Sequence, residues 1–258
     1  MTSANDLSDP TSRPEERPLH ANVRWLAATL GRAIARLEGE DAFEAVETLR
    51  TQCRARRREE DGAPSLAELV ELVESWPPRT ARVVARAFTL FFLLINTAEQ
   101  VHRVRRRRSY GDAPQPGSLR WCFEELAERG TKADDVEAAL ERLATEPVLT
   151  AHPTEATRQT ILELQARVAD CLLALDHASP TERARLESNL EGEIELLWLT
   201  TEVRTDRPSV IDEVSNAVWY LEERLLDAAG RIDEAAHRAF EEVFERPWSG
   251  RLHVPLGS

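Results

Sequence analysis

The chain has 258 residues and a formal net charge of −13 at pH 7. This acidic charge argues against nonspecific nucleic-acid binding, which depends on the neutralisation of phosphates, and it favours solubility. The 42% hydrophobic and 31% charged residues, with only 10 glycines, are typical of a helix-rich chain that can bury a core.

Helical patterns dominate the first part of the chain. Residues 1–20 are rich in Ser, Pro, Asp and Glu and are predicted to be a disordered lead-in to one incomplete domain over residues 21–258. An apolar stripe from Trp25 to Leu37 predicts the first helix, and Ser65-Leu66-Ala67-Glu68 is a capping-box pattern. Residues 79–107 predict a long helix that is apolar on several sides and therefore buried, although its longest apolar run is too short to cross a bilayer.

The second part is also mainly helical. Helices are predicted over residues 119–128 and after helix-start patterns at Thr131, Pro153, Ser179 and Ser209. Residues 147–151 are the best strand candidate, and residues 252–256 are a second one. The fold class predicted from these patterns is mainly α, with one or two strands.

Cysteine usage and the N-terminus indicate a cellular compartment. Cys53, Cys122 and Cys171 are isolated from one another, so neither a zinc ribbon nor a disulfide framework is supported. We expect reduced, mostly buried thiols. Because the N-terminus also lacks the basic and apolar regions of a secretory signal, a cytoplasmic location is predicted.

The most distinctive segment covers residues 148–158 and has the sequence VLTAHPTEATR. Its apolar run ends at His152, and Pro153 begins a helical pattern because its ring fixes φ near the helical value. His152 would then lie beside the positive end of a helix dipole, whose field favours neutral imidazole. The histidine is predicted to act as a base near neutral pH; alternatively, it only caps the helix.

This segment resembles the TAHPTE-type signature of the phosphoenolpyruvate carboxylases, which contains the family's active-site histidine. Residues 85–103, ARAFTLFFLLINTAEQVHR, are similar to a family helix, and residues 197–213, LWLTTEVRTDRPSVIDE, are similar to a third family segment. Three matches in family order are far more specific than any one alone. The resemblance implies the N-terminal helical part of a TIM-type α/β barrel elaborated with many helices, with one or two barrel strands in this chain.

The family reaction forms oxaloacetate and phosphate from phosphoenolpyruvate and bicarbonate. The resemblance implies that His152 takes the proton of a carboxyphosphate intermediate. Arg158 is a candidate substrate contact, since its planar guanidinium matches an anion, or it forms a structural ion pair with Glu155 or Glu163. Arg204 and Arg207 are predicted to form a salt-bridged hinge instead of binding substrate.

Family members are several times longer, and their GGDRDGNP-type motif would follow residue 258 almost at once. We therefore expect this chain to be an N-terminal portion that is inactive alone, with the family's magnesium held by residues outside it and no metal site of its own. The full-length enzyme is expected to be a homo-oligomer that binds neither nucleic acid nor membrane. Two alternatives remain: a helical interaction module that keeps the scaffold without the chemistry, and phosphotransfer on His152.

Overall fold

A computed structural model describes residues 16–111, 113–146, 159–201 and 209–254. Helices account for most of these residues: α1 Arg17–Glu38, α2 Glu40–Arg57, α3 Leu66–Glu74, α4 Pro78–Ser109, α5 Leu119–Glu128, α6 Ala133–Leu140, α7 Gln159–Ala174, α8 Pro180–Leu199, α9 Val210–Tyr220 and α10 Leu226–Phe244, the last two joined by a π turn, Leu221–Leu225. The described residues divide into two compact units: unit 1 contains residues 16–105 and 159–201, and unit 2 contains the remainder.

The core of unit 1 is built from four helices. Burying their apolar stripes stabilises unit 1, because each stripe is removed from water by the facing helix. α7 packs along α8, and α1 packs against both α2 and α8. The buried side chains come from α1, α4, α7 and α8, and the largest include Leu26, Ile34, Leu90, Leu94, Ile161, Leu164, Leu190 and Ile194.

Helix α4 lies where the long helix was predicted, but the prediction that it is buried on several sides is wrong. Leu90, Leu94 and Val101 on one side are buried, whereas Phe92 is 58% exposed. The helix therefore buries one face only. By length and composition α4 could cross a membrane, although this is weak support for a span because core helices such as this one pass the same test.

Side-chain capping marks the starts of four helices, α3, α5, α8 and α9. The Ser65 and Ser179 hydroxyls each accept from the backbone N–H three residues later, and Glu68 and Glu182 bond back to the caps. α9 begins with the same box at Ser209. The prediction at Thr131 is wrong in detail, because α6 begins at Ala133 and its N-cap is Lys132, which makes no side-chain capping bond.

The start of the described chain and its thiols also differ from prediction. α1 already begins at Arg17, inside the predicted disordered lead-in 1–20, while residues 1–15 lie outside the described ranges. All three thiols are free, but Cys53 and Cys122 are exposed and Cys171 is only half-buried. The expectation of mostly buried thiols is therefore wrong, since a lone cysteine carries no periodic signal of the face on which it lies.

Unit 2 has a small aromatic core between α5 and α10. Phe123 meets Phe240 edge to face at 6.0 Å between ring centroids, and the buried Trp248 closes the cluster. After α10 ends, Arg246 donates to Asp134 at 2.6 Å and to Glu137 at 2.7 Å. These two bonds fix the segment after α10 against α6.

The prediction of one or two strands is not borne out in the part of the chain that is described. The strand candidate 147–151 lies outside the described residues. At the second candidate, 252–256, residues 252–254 form only one isolated parallel bridge, between His253 and Ala144. A single bridged pair does not make a strand. The described part of the chain is mainly helical.

Candidate functional site

The residues predicted to carry the chemistry, His152 and Arg158, lie outside the described residues. Arg204 and Arg207 of the predicted hinge also lie outside them. The structure does describe the helix that follows the histidine segment and the helices that carry most of the other two resemblance segments. The described element that follows the histidine segment is α7, and those that carry parts of the other two segments are α4, α8 and α9.

Helix α7 is anchored in the core from its first turn. Ile161, Leu164, Val168 and Leu172 are all buried, at the spacing of one helical face. On the exposed side, the guanidinium of Arg167 donates to Glu193 of α8 at 2.9 Å. The chain that carries His152 therefore leads into a helix whose position and rotation are set by packing. Glu163, a proposed structural partner of Arg158, is exposed on this helix.

Two of the three resemblance segments contact each other at one end of unit 1. Arg86 of α4 donates through Nη2 to the carbonyl oxygen of Thr200 at 2.6 Å. Its guanidinium carbon lies 5.2 Å from the ring centroid of Trp198, within the range of a cation–π interaction. We call Arg86, Trp198 and Thr200, together with Glu38, the Arg86 cluster.

Glu38 connects this cluster to the end of α1. It accepts a hydrogen bond from Trp198 Nε1 at 3.2 Å and lies 3.6 Å from the guanidinium of Arg79. The cluster thus joins the C-terminal ends of α1 and α8 to the first half of α4. The sequence prediction did not identify it, although both Arg86 and Trp198 lie in segments singled out by the resemblance.

A second set of resemblance residues faces outward. Asn96, Glu99 and Arg103 follow Phe92 along one side of α4, and all of them are exposed. Among the described residues, none of these three polar side chains forms a hydrogen bond or an ion pair. We call this surface the α4 outer face. The core of unit 1 does not need these residues for its packing.

Two arginine-rich runs, residues 54–58 and 103–108, lie at the C-terminal ends of α2 and α4. Arg54 and Arg56 lie in the last turn of α2, and Arg106 lies in the last turn of α4, where cations complement the helix dipole. Arg105 also forms two hydrogen bonds: its Nε donates to Asp176 at 2.8 Å, and its Nη2 donates to the carbonyl oxygen of Leu172 at 3.0 Å. These contacts support a structural role for both runs at the helix ends.

The described residues do not fit a magnesium site. Within the described ranges, no group of three or more His, Cys, Asp or Glu side chains is placed to hold a metal ion. An open cleft between α2 and α3 is lined by Cys53, Arg56, Arg57, Glu59, Leu66 and Leu69. None of these lining residues belongs to the three resemblance segments.

These features define a helical scaffold in which the core helix α7 follows the histidine-bearing segment in the sequence. Residues 19–256 match the family model described as phosphoenolpyruvate carboxylase. The chain is 37% identical over 244 residues to the phosphoenolpyruvate carboxylase of Xanthomonas campestris, covering 92% of this chain, and 38% identical over 229 residues to that of Roseiflexus castenholzii, covering 85%. It belongs to the phosphoenolpyruvate carboxylase family.

The chain is much shorter than these relatives. It spans 26% of the Xanthomonas campestris protein, 24% of the Roseiflexus castenholzii protein and 25% of the Nocardia farcinica protein, to which it is 34% identical over 233 residues. About a quarter of the family's length is therefore represented.

Proposed function

We propose that this chain is the N-terminal part of a cytoplasmic phosphoenolpyruvate carboxylase, a carbon–carbon lyase that forms oxaloacetate and phosphate from phosphoenolpyruvate and bicarbonate. The observation that carries the proposal is the family match over residues 19–256, which includes the His152 segment. The parent enzyme is proposed to be a homo-oligomer with a TIM-type barrel, for which this chain supplies N-terminal helices. The chain alone is proposed to be inactive.

The proposed role of His152 is that of a base. An oxygen of bicarbonate attacks the phosphorus of phosphoenolpyruvate, and the bond from phosphorus to the enol oxygen breaks, leaving carboxyphosphate and an enolate. His152 accepts the carboxyphosphate proton, after which the C–O bond to phosphate breaks and releases carbon dioxide and phosphate. The enolate carbon then attacks carbon dioxide, which forms oxaloacetate. A base of this kind must be neutral before it acts.

The described scaffold supports this role by position. Since Ile161 and Leu164 are buried in the first turns of α7, the helix offers a fixed support for the segment that precedes it. Catalysis depends on such support, because a small misplacement of a catalytic group costs much of the rate. Arg158, next to Gln159 at the start of α7, is proposed to contact an anionic group of substrate or product.

Magnesium is proposed to be held by residues outside this chain, since the described residues offer no fitting set. The divalent cation would supply charge stabilisation to the phosphate and the enolate.

A fusion protein tests the proposal. In the Xanthomonas campestris relative, the aligned segment is replaced by this chain, and oxaloacetate formation is measured with phosphoenolpyruvate, bicarbonate and magnesium in excess. The fusion is expected to be active and the isolated chain inactive. His152→Asn should lower kcat by a factor of about 100 or more, as expected for the loss of a general base.

The matched control is His177→Asn, which changes an exposed histidine in the turn after α7 and should leave kcat unchanged. The assignment of His152 fails if its variant turns over as fast as this control. Turnover by the isolated chain above that of its own His152→Ala variant would refute the proposed inactivity.

A further inference from the structure

Helix α9 carries an apolar face that the described chain does not cover. Val210 is 75% exposed, Val214 is 56% exposed and Val218 is 42% exposed, and α9 has no buried residue. Ile211, 77% exposed, lies on the same side. A helix that is amphipathic but buries nothing has an apolar stripe without a partner.

This stripe continues an interface that is already formed. From Val218 it passes through the half-buried Leu221 and Leu225 of the π turn, at spacings of three and four residues. Further along, in α10, the stripe is fully covered: Ala236 and Phe240 are each 0% exposed, in the core shared with α5. The apolar stripe is therefore buried at its α10 end and exposed at its α9 end.

The lengths of the helices explain why the cover stops. At 1.5 Å per residue, α9, the π turn and α10 together are about 50 Å long, whereas the 10 residues of α5 extend only about 15 Å. α5 is therefore too short to cover the whole stripe, and covering α9 needs a further segment.

The charges beside the stripe disfavour a second copy of this chain as the cover. Asp212 and Glu213 lie at the start of α9, Glu222 and Glu223 lie in the π turn, and Arg224 is the one basic residue among residues 210–225. Two such faces would bring like charges together, which costs free energy at an interface. The complementary partner is an apolar helix face flanked by basic residues.

We infer that the apolar face of α9 is the docking surface for the part of the carboxylase polypeptide that this chain does not contain, which covers it with a basic-flanked helix. This inference rests on the proposed function, since it takes the chain to be one quarter of a longer family protein. The bare stripe is then the inner side of an interface within the complete enzyme.

The test measures association between two separate polypeptides. One is this 258-residue chain, and the other is the Xanthomonas campestris relative without its aligned segment. Val214→Gln combined with Val218→Gln should weaken their association by a factor of about 10 or more, because two half-exposed valines no longer bury apolar area. Glutamine is at least as good a helix former as valine, so α9 should remain helical.

The matched control is Leu66→Gln combined with Val70→Gln on α3. These residues are 61% and 47% exposed and are likewise four apart on one helix. The control should keep wild-type affinity. In the isolated chain, both double variants should keep the wild-type thermal midpoint and helical circular dichroism.

Several results would overturn the inference. They are failure of the wild-type chain to associate, equal affinity of the two double variants, and a wild-type dimer of this chain that only the α9 variant disrupts. A lower thermal midpoint of the isolated α9 variant would also overturn it, by showing that the same chain covers the face. The fusion assay separates the two proposals, because association without carboxylase activity in the fusion refutes the function and leaves the docking surface standing.

Discussion

Replacing Arg86 by alanine tests whether the Arg86 cluster holds two resemblance segments together. In the structure this side chain reaches from α4 to the end of α8, bonding the Thr200 carbonyl at 2.6 Å and lying over the Trp198 ring at 5.2 Å. Arg86→Ala removes both contacts and leaves the α4 backbone helical, since alanine is the best helix former.

The cost follows from the two contacts. A hydrogen bond from a charged donor contributes about 1.5–3 kcal/mol, and a partly exposed cation–π contact contributes about 0.5–1 kcal/mol. Because the contact is only part-buried, water bonds the guanidinium in the unfolded state and replaces it at the Thr200 carbonyl in the variant, which lowers the cost. We therefore expect Arg86→Ala to lower the free energy of unfolding of unit 1 by about 2 kcal/mol. Arg86→Lys should fall between wild type and alanine, because it keeps the charge but loses the planar fork.

Urea unfolding followed by circular dichroism and tryptophan fluorescence measures this loss, with a separate transition allowed for each of the two units. Arg82→Ala is the control, since Arg82 lies one turn earlier on α4, is exposed and makes no hydrogen bond or ion pair with a described residue. If both alanine variants unfold at the same urea concentration, the role of the Arg86 cluster in holding the end of α8 to α4 is refuted.

Three further outcomes are expected. A disulfide reagent should label the exposed Cys53 quickly at neutral pH and Cys171 slowly. Burial raises the pKa of the Cys171 thiol, and the charges of two nearby carboxylates raise it further, so less of this thiol is in the reactive thiolate form. Equal labelling rates that do not depend on pH would contradict this expectation. Ser179→Ala should raise the pKa of Glu182 in an NMR titration, since the hydrogen bonds from the Ser179 hydroxyl and backbone N–H lower that pKa in the wild type. These bonds stabilise the wild-type chain at pH values above the ordinary carboxyl pKa. This stabilisation should be lost as the pH falls through the lowered pKa of Glu182. Ile194→Ala, at a fully buried core position, should cost about 2–5 kcal/mol in urea unfolding, and a loss below 1 kcal/mol would show that the α8 core is not packed as described.

Local patterns were sufficient to predict most of the helices. The boxes at Ser65 and Ser179 act within one turn of chain, so the residues that form the cap are also its sequence signal. The environment of α4 was harder to predict. An apolar run shows that the helix has apolar side chains to bury, but it does not show which face a distant helix covers. Phe92 was predicted to be buried for this reason and is exposed.

The candidate site depends less on local pattern. The assignment of His152 comes from the resemblance to the carboxylases, and it stays a prediction because the segment lies outside the described residues. The contact between Arg86 and Thr200 joins residues 114 positions apart. No periodicity within either segment encodes such a pair, so only the fold shows that the two segments meet.

A resemblance to a family can be carried by packing or by chemistry, and the described structure separates the two. In the segment 85–103, Leu90, Leu94 and Val101 are buried and Arg86 bonds across to α8, so the fold of unit 1 accounts for these residues. The α4 outer face is different, because its polar residues are exposed and bond to no described residue. Packing within unit 1 gives no reason for this polar pattern. The fold of unit 1 requires only that these exposed positions be polar, and it does not select Asn96, Glu99 or Arg103 over other polar residues.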